Sequence, residues 1–208
     1  MPRRTRCWSR LPRVCWTGSG PTGLDVRMPE TPYVAAGPRV AIRHTERTDR
    51  AEFTRLARTS AALHHPWLTA PSTDEAFDTF MTKLERDDHE GFLVCLPETG
   101  AIVGFINVNS IVRGAFQGGT IGYGAFAPHA GHGYVSEALG LVLGYAFGPL
   151  GLHRIEVNIQ PGNEGSLALV KRYGFRLEGF SPDYLYIEGA WRDHERYAIT
   201  SDMFKAQG

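Results

Sequence analysis

A chain of 208 residues and 23.0 kDa, 42% hydrophobic and 21% charged, has the length of one domain with an appendage and enough apolar side chains for a core, which excludes a disordered or collagen-like chain. Twenty-two Lys and Arg balance 22 Asp and Glu, so no uniform positive field exists to hold nucleic acid or an anionic membrane directly. Cys7, Cys15 and Cys95 form neither a CxxC pair nor an even set, a usage that fits a reducing cytoplasm.

Residues 1–27 hold six arginines against the single acid Asp25, a net of +5, so residues 28–208 carry −5. Pro12, Pro21, the turn Gly18-Ser19-Gly20 and the lack of an apolar period predict an unstructured leader. An Arg-rich targeting or ribosome-contacting arm, a transit peptide, and a gene-model extension ahead of a start at Met28 all fit; no apolar segment of the secretory kind follows the arginines. From Arg39 to Arg43, Val40 and Ile42 alternate inward against Arg39, Ala41 and Arg43, the pattern of a strand with one solvated face. Residues 48–60 and 72–86 read as helices, the second capped by Ser72 with Glu75 completing a capping box. Gly91–Leu96 and Ala101–Val108 read as a hairpin whose second strand, apolar on both faces, is central to its sheet. A further strand runs over about 120–126.

Strand and helix then alternate. Val135, Leu139, Val142, Leu143, Ala146 and Phe147 line one helical stripe that stops at Gly148-Pro149. The apolar run Ala138–Leu152 falls short of the roughly 18 residues of a membrane span. Arg154–Ile159 alternates as a strand, 163–173 as a helix, then strands at 175–178, 183–188 and 191–199 and a tail at 201–208. This order predicts an α/β fold, one mixed sheet with helices on both sides.

Seven of the 24 glycines fall between Gly114 and Gly133, the last two in Pro128-His129-Ala130-Gly131-His132-Gly133, between a strand and the long helix. Free amides at a helix start, aligned with its dipole and unobstructed by side chains, suit a pyrophosphate; a tight turn with no ligand fits the same residues. The turn is neither a Walker A loop nor a GxGxxG dinucleotide fingerprint.

Gly122-Tyr123, Pro128, the glycine turn, Asn163-Glu164-Gly165-Ser166 and Gly174-Phe175 stand in the order found in the GNAT acetyltransferases, and the chain resembles that family from about residue 38 to 200. Ile111–Phe116, Leu152–Ile155, Phe175–Gly179, Asp183–Leu185 and Gly189–His194 are similar to its RimJ/RimL branch, which acetylates the N-terminal amino groups of ribosomal proteins. The resemblance implies the GNAT fold with its central mixed sheet, acetyl-CoA as cosubstrate, no metal, and a protein N-terminus, in particular of a ribosomal protein, as acceptor. A small-molecule amine (amino acid, polyamine or antibiotic) is the alternative acceptor, and an acyl-CoA sensor without turnover is a third reading.

It also implies roles. The backbone of Ala125, Phe126 and Ala127 would pair with the pantetheine arm, and Gly131, His132, Gly133, Tyr134 and Val135 would cradle the pyrophosphate. Ala130 stands where the family has Arg or Gln, a loss that His129 or His132 would have to make good. Asn163 would contact pantetheine, although Asn at this place is also ordinary helix capping. Val170 occupies the position of the usual tyrosine acid, leaving Ser166 to serve the departing thiol, with Tyr173 a weaker candidate. An α-amino group is roughly 10–15% neutral at pH 7 and a lysine amine roughly 0.04%, so a weak carboxylate base suffices for the former; Asp183 is the first candidate and Glu178 the second. Asn107, Asn109 and Arg113 are candidates for reading the incoming peptide. Trp191–His194 marks the family, and Cys95 reads as a core residue.

Overall fold

The computed structural model describes residues 33–205, so the leader and the last three residues lie outside the described residues. In chain order the elements are β1 (Ala35–Ala36), β2 (Ala41–His44), α1 (Arg50–Thr59, entered through a 3₁₀ turn at Arg47–Asp49), α2 (Ala61–His64), α3 (Asp74–Leu84), β3 (Glu90–Cys95), β4 (Ile102–Val112), β5 (Gly118–Ala125), α4 (Tyr134–Phe147), β6 (Arg154–Ile159), α5 (Glu164–Arg172), β7 (Arg176–Ile187), β8 (Ala190–Thr200) and α6 (Ser201–Lys205). The strands form one sheet in the order β1-β2-β3-β4-β5-β6-β8-β7, antiparallel throughout except where β5 meets β6.

Two apolar clusters sandwich the sheet, which is why its inner strands read as apolar on both faces. On one face Leu139, Val142 and Leu143 of α4 and Leu167 and Val170 of α5 pack with Phe92, Val94, Ile106, Ile155 and Val157. Leu139, Val142 and Leu143 are fully buried, each contributing about 1.5–3 kcal/mol by leaving water. On the other face Phe53, Leu56, Phe77 and Met81 of α1 and α3 pack with Leu93, Cys95, Phe105 and Phe126. A bulge where Val94 and Cys95 pair with Gly104 and Ile102, skipping Val103, lets both Ile102 and Phe105 reach this second cluster.

The departures from the sequence reading have local causes. Ala41, expected to face solvent, is fully buried because both faces of the sheet are covered here. Helix α3 is capped by Thr73, whose Oγ1 accepts from the Ala76 amide at 3.2 Å, and not by Ser72. The separate strands expected at 175–178 and 183–188 are one strand, β7, whose pairing with β8 shifts between Ser181 and Leu185 around Asp183, at φ +47°. The first residues of the expected tail form α6, with Phe204 packed on Phe147 at 5.6 Å between ring centroids. No helix among the described residues is long and apolar enough to cross a membrane.

Candidate active site

β5 and β6 pair only from Gly118–Thr120 to Arg154–Glu156, while β5 keeps its partnership with β4 as far as Ala125. Beyond Thr120 the two parallel strands are therefore unpaired on their facing edges, and the gap opens into two adjoining cavities of about 380 and 240 Å³. Trp67, Leu68, Tyr123, Asn163 and Ser166 line both, so these five residues mark the junction. The Pro66–Leu68 segment is held there by Gln160, whose Nε2 donates to the carbonyls of Pro66 (3.1 Å) and Trp67 (3.2 Å).

The larger cavity runs along the start of α4. Gly131 and Gly133 take φ of +80° and +77°, and Gly133 as N-cap offers no capping side chain. The first amide to enter the helical ladder is that of Glu137, bonded to the Gly133 carbonyl at 3.0 Å. The amides from Gly131 to Ser136 donate to no acceptor among the described residues. They form a concave bed of donors at the positive end of a 14-residue helix, the arrangement that binds an anion. The turn is pinned from behind: Glu137 accepts from the amides of Arg39 (2.8 Å) and Val40 (3.2 Å), and Arg39 reaches the His132 carbonyl at 3.1 Å.

Ala130 lines this cavity without a polar group, and the polar side chains at this end come from other positions. His129 lines it; Arg172, at the end of α5, lines it too and donates from Nη1 to Ser136 Oγ at 3.1 Å. His132 does not line it, because its Nδ1 is bonded within the turn, to the Ala130 carbonyl at 3.0 Å, and its ring stacks on Tyr134 at 5.4 Å. Gly131, Gly133, Tyr134 and Val135 all line the cavity.

Of the three residues expected to pair with a pantetheine arm, only Ala125 faces the cavity. Phe126 donates its amide to the Val103 carbonyl at 2.9 Å and is fully buried, so by the alternation of an antiparallel ladder the backbone of Ala125 points the other way, into the cleft. The Ala125 carbonyl accepts from Nε2 of buried His64 at 2.8 Å, leaving its amide for a ligand. Ala127 is committed elsewhere, its amide donating to Ser60 Oγ at 2.8 Å.

At the junction, Asn163 caps α5 by accepting from the Ser166 amide at 3.2 Å, so the ordinary capping role is filled while both side chains still line the cavities. The Tyr123 hydroxyl is buried without a hydrogen-bond partner of good geometry. Burial pushes its pKa up to about 12, and the neighbouring Ser166 hydroxyl opposes this only in part. Val170 is fully buried in the core, and Tyr173 lies outside both cavities with its hydroxyl donating to the Ser136 carbonyl at 2.6 Å.

The smaller cavity collects polar side chains from four strands and a loop, among them Asn109, Thr120, Asn158, Gln160 and His194, against Ile121, Val157, Leu185 and Ile187. No carboxylate is among its lining residues. Asn158 Oδ1 is buried there without a partner. His194 is buried, its Nδ1 2.9 Å from the Arg192 carbonyl, and burial lowers its pKa against the opposing effects of that carbonyl and of Asp193.

Several predicted site residues are not brought to the cleft. Glu178 is clamped by Arg154 and by Arg176, at 2.7 Å from the latter, and these bonds hold its pKa at about 2, which leaves it a poor proton acceptor. Asp183 sits exposed at the β7 bulge, its amide bonded to Asp193 Oδ1 at 2.9 Å, and lines neither cavity. Arg113 donates to the Leu150 carbonyl, away from the cleft, and Asn107 is buried in β4 without lining it; Asn109 does line it. Tyr123, His194, Arg172 and Asn158 also line the cavities, and the sequence reading gives none of them a role. The signals were present in the polar residue of the Asn158-Ile159 alternation and in the run Trp191–His194.

Residues 39–176 match the Acetyltransferase (GNAT) domain family. The chain belongs to the GNAT acetyltransferases. Among GNAT relatives it is 37% identical over 120 residues to the probable N-acetyltransferase YjcK of Bacillus subtilis, covering 58% of this chain and 66% of that one. It is 38% identical over 105 residues to the [ribosomal protein uS5]-alanine N-acetyltransferase of Escherichia coli, covering 50% and 54%. These matches thus span less than two thirds of either relative. A solved GNAT structure, Mycobacterium smegmatis RimJ in complex with CoA-disulfide, superposes with a TM-score of 0.72 at 28% identity over 78% of this chain and 82% of that one. A Vibrio cholerae spermidine N-acetyltransferase in complex with CoA and spermine shares the fold, with a TM-score of 0.68 at 18% identity over 81% and 99%.

Proposed function

We propose that this protein transfers the acetyl group of acetyl-CoA to the N-terminal α-amino group of a protein, with a ribosomal protein as the acceptor class. The observation that carries the reading is the meeting of two cavities at Tyr123 and Ser166, one bounded by an unbonded amide bed and the other lined by uncharged polar side chains. Acetyl-CoA supplies the activated acyl group. The amides from Gly131 to Ser136 hold its diphosphate, aided by His129 and Arg172 in place of the cation missing at Ala130. The Ala125 amide and Asn163 Nδ2 orient the arm, so that the thioester lies at the junction. There the Tyr123 and Ser166 hydroxyls donate to the sulfur as it departs; with a pKa of about 12 the phenol stays protonated at neutral pH.

The acceptor enters from the smaller cavity. Its lining holds no carboxylate, which suits a single amine whose charge is lost before reaction and disfavours a polyamine, since a second buried cation without a partner costs several kcal/mol. An α-amine also starts about 3.5 kcal/mol closer to its neutral form than a lysine amine does. The test is mass spectrometry of products formed from acetyl-CoA and peptides differing at residue one, with free lysine and spermidine alongside. N-terminal acetylation of peptides supports the proposal. Acetylation of the small amines alone would move the assignment to them, and coenzyme A binding with no transfer would make the protein a sensor.

A further inference from the structure

Resting on the acetyltransferase reading, we propose that His194 Nε2 is the proton acceptor for the attacking amine. His194 lies on β8 just beyond its pairing with β6, is 2% exposed, and lines the acceptor cavity. A carbonyl only accepts hydrogen bonds, so the contact of 2.9 Å from Nδ1 to the Arg192 carbonyl places the ring hydrogen on Nδ1 and leaves Nε2 with a lone pair. Among the described residues the hydrogen bond seen for this ring is the one at Nδ1. Tyr184 packs against the ring at 5.9 Å and 61°, restricting its rotation. In the same cavity Asn158 Oδ1 is a buried acceptor without a donor, suited to hold a second hydrogen of an incoming ammonium group.

The groups around the ring leave its basicity to its surroundings. Its own strand contributes Arg192 and Asp193, β7 contributes Tyr184, β6 contributes the uncharged Asn158, and the loop after β6 the uncharged Gln160. Burial keeps the imidazole neutral near pH 7, with Asp193 opposing it weakly. A neutral imidazole within the cavity is a better acceptor than Glu178, which two arginines hold ionised, or Asp183, which lies outside it.

The proton inventory balances. Of the three protons on the ammonium form of the acceptor, one passes to Nε2 and then to solvent. The freed lone pair forms the C–N bond as the C–S bond breaks; the second proton reaches the sulfur through the Tyr123 or Ser166 hydroxyl, and the third stays on the product amide.

The experiment compares wild-type protein, His194→Gln and Asp183→Asn in peptide acetylation across pH 6 to 9, with coenzyme A affinity measured by calorimetry. His194→Gln is expected to lower kcat/KM at pH 7 by about 10²-fold with coenzyme A affinity unchanged. The deficit should shrink as pH rises and the amine deprotonates unaided, and imidazole should rescue His194→Gly. Asp183→Asn is expected to match wild type. A His194→Gln protein that binds coenzyme A and keeps kcat/KM within about threefold of wild type overturns the assignment. Should the variants fail to fold, nitrogen NMR of histidine-labelled wild type decides: a hydrogen on Nε2 in place of Nδ1 at pH 7 also overturns it. Wild-type protein that transfers to no amine would overturn the function itself and this assignment with it.

Discussion

Tyr123→Phe removes one oxygen and separates stability from catalysis, because the hydroxyl it deletes is buried and unpaired. A buried polar group without a partner costs about 1–3 kcal/mol. The Ser166 hydroxyl alongside and the adjoining cleft, wide enough for water, place this case near the lower bound. Since phenylalanine keeps the ring and its packing, the variant is expected to be more stable by about 1 kcal/mol, or about 2–4 °C in Tm for a domain of this size. Turnover should move the other way. If the phenol donates to the departing sulfur, losing that bond to a developing anion removes about 1.5–3 kcal/mol of transition-state stabilisation, which is about 10- to 150-fold in kcat. The Kd for coenzyme A should change less than about threefold, because in that complex Tyr123 meets a neutral thiol and not a charge. Differential scanning calorimetry, with steady-state peptide acetylation on the same preparation, reads both effects. A lower Tm would refute the unpaired state of the hydroxyl, and full turnover would refute its part in the reaction.

Arg172→Gln removes an exposed cation from the diphosphate end; discounted for solvent screening, the loss is about 0.5–1 kcal/mol, or roughly two- to fivefold in coenzyme A affinity. Calorimetry at low and high salt checks it, since the difference from wild type should vanish as salt screens the pair. Glu178→Gln is expected to leave kcat unchanged and to destabilise the fold at neutral pH by breaking the bonds to Arg154 and Arg176. Glu178 is depressed to about 2 in the folded protein, so its contribution is present above the ordinary carboxylate pKa of about 4.3 and is lost as pH falls from there through the folded value. Chemical denaturation at pH 7 and at successively lower pH should show the variant and wild type converging in that window. Gly133→Val places a β-branched residue at φ +77° and should reduce both stability and coenzyme A affinity, the latter by disordering the amide bed; a thermal melt and a binding isotherm measure the two.

The strands and helices were legible wherever burial has one cause. Helix α4 reads from its stripe and its Gly148-Pro149 stop because it packs on the sheet along one side only. Ala41 misleads because the period of two assumes one wet face, while α1 and α3 cover the other. β7 reads as two strands in the sequence because a bulge around Asp183 interrupts the alternation without ending the hydrogen bonding to β8. The same bulge accounts for the position of Asp183. A shift of register turns side chains from one face to the other, and Asp183, which motif order places beside the thioester, is carried out to solvent while Leu185 and Ile187 turn into the acceptor cavity.

The two ends of the site differ in how sequence encodes them. The diphosphate bed is built from consecutive main-chain amides, and its requirements are local: glycines where φ is positive and a helix directly after. Such a pattern survives in any reading of the chain. The acceptor cavity takes residues from β4, β5, β6, β7, β8, the start of α5 and the Pro66–Leu68 segment, whose positions depend on where β5 and β6 part company. That divergence follows from pairing geometry after Thr120 and leaves no signature in the residues that line the gap. On the proposed function the cofactor end needs only this local pattern, while acceptor choice rests on side chains such as His194 and Asn158 whose neighbours in space are strangers in sequence. Changing acceptor preference therefore calls for substitutions in the 240 Å³ cavity, with the amide bed left as it stands.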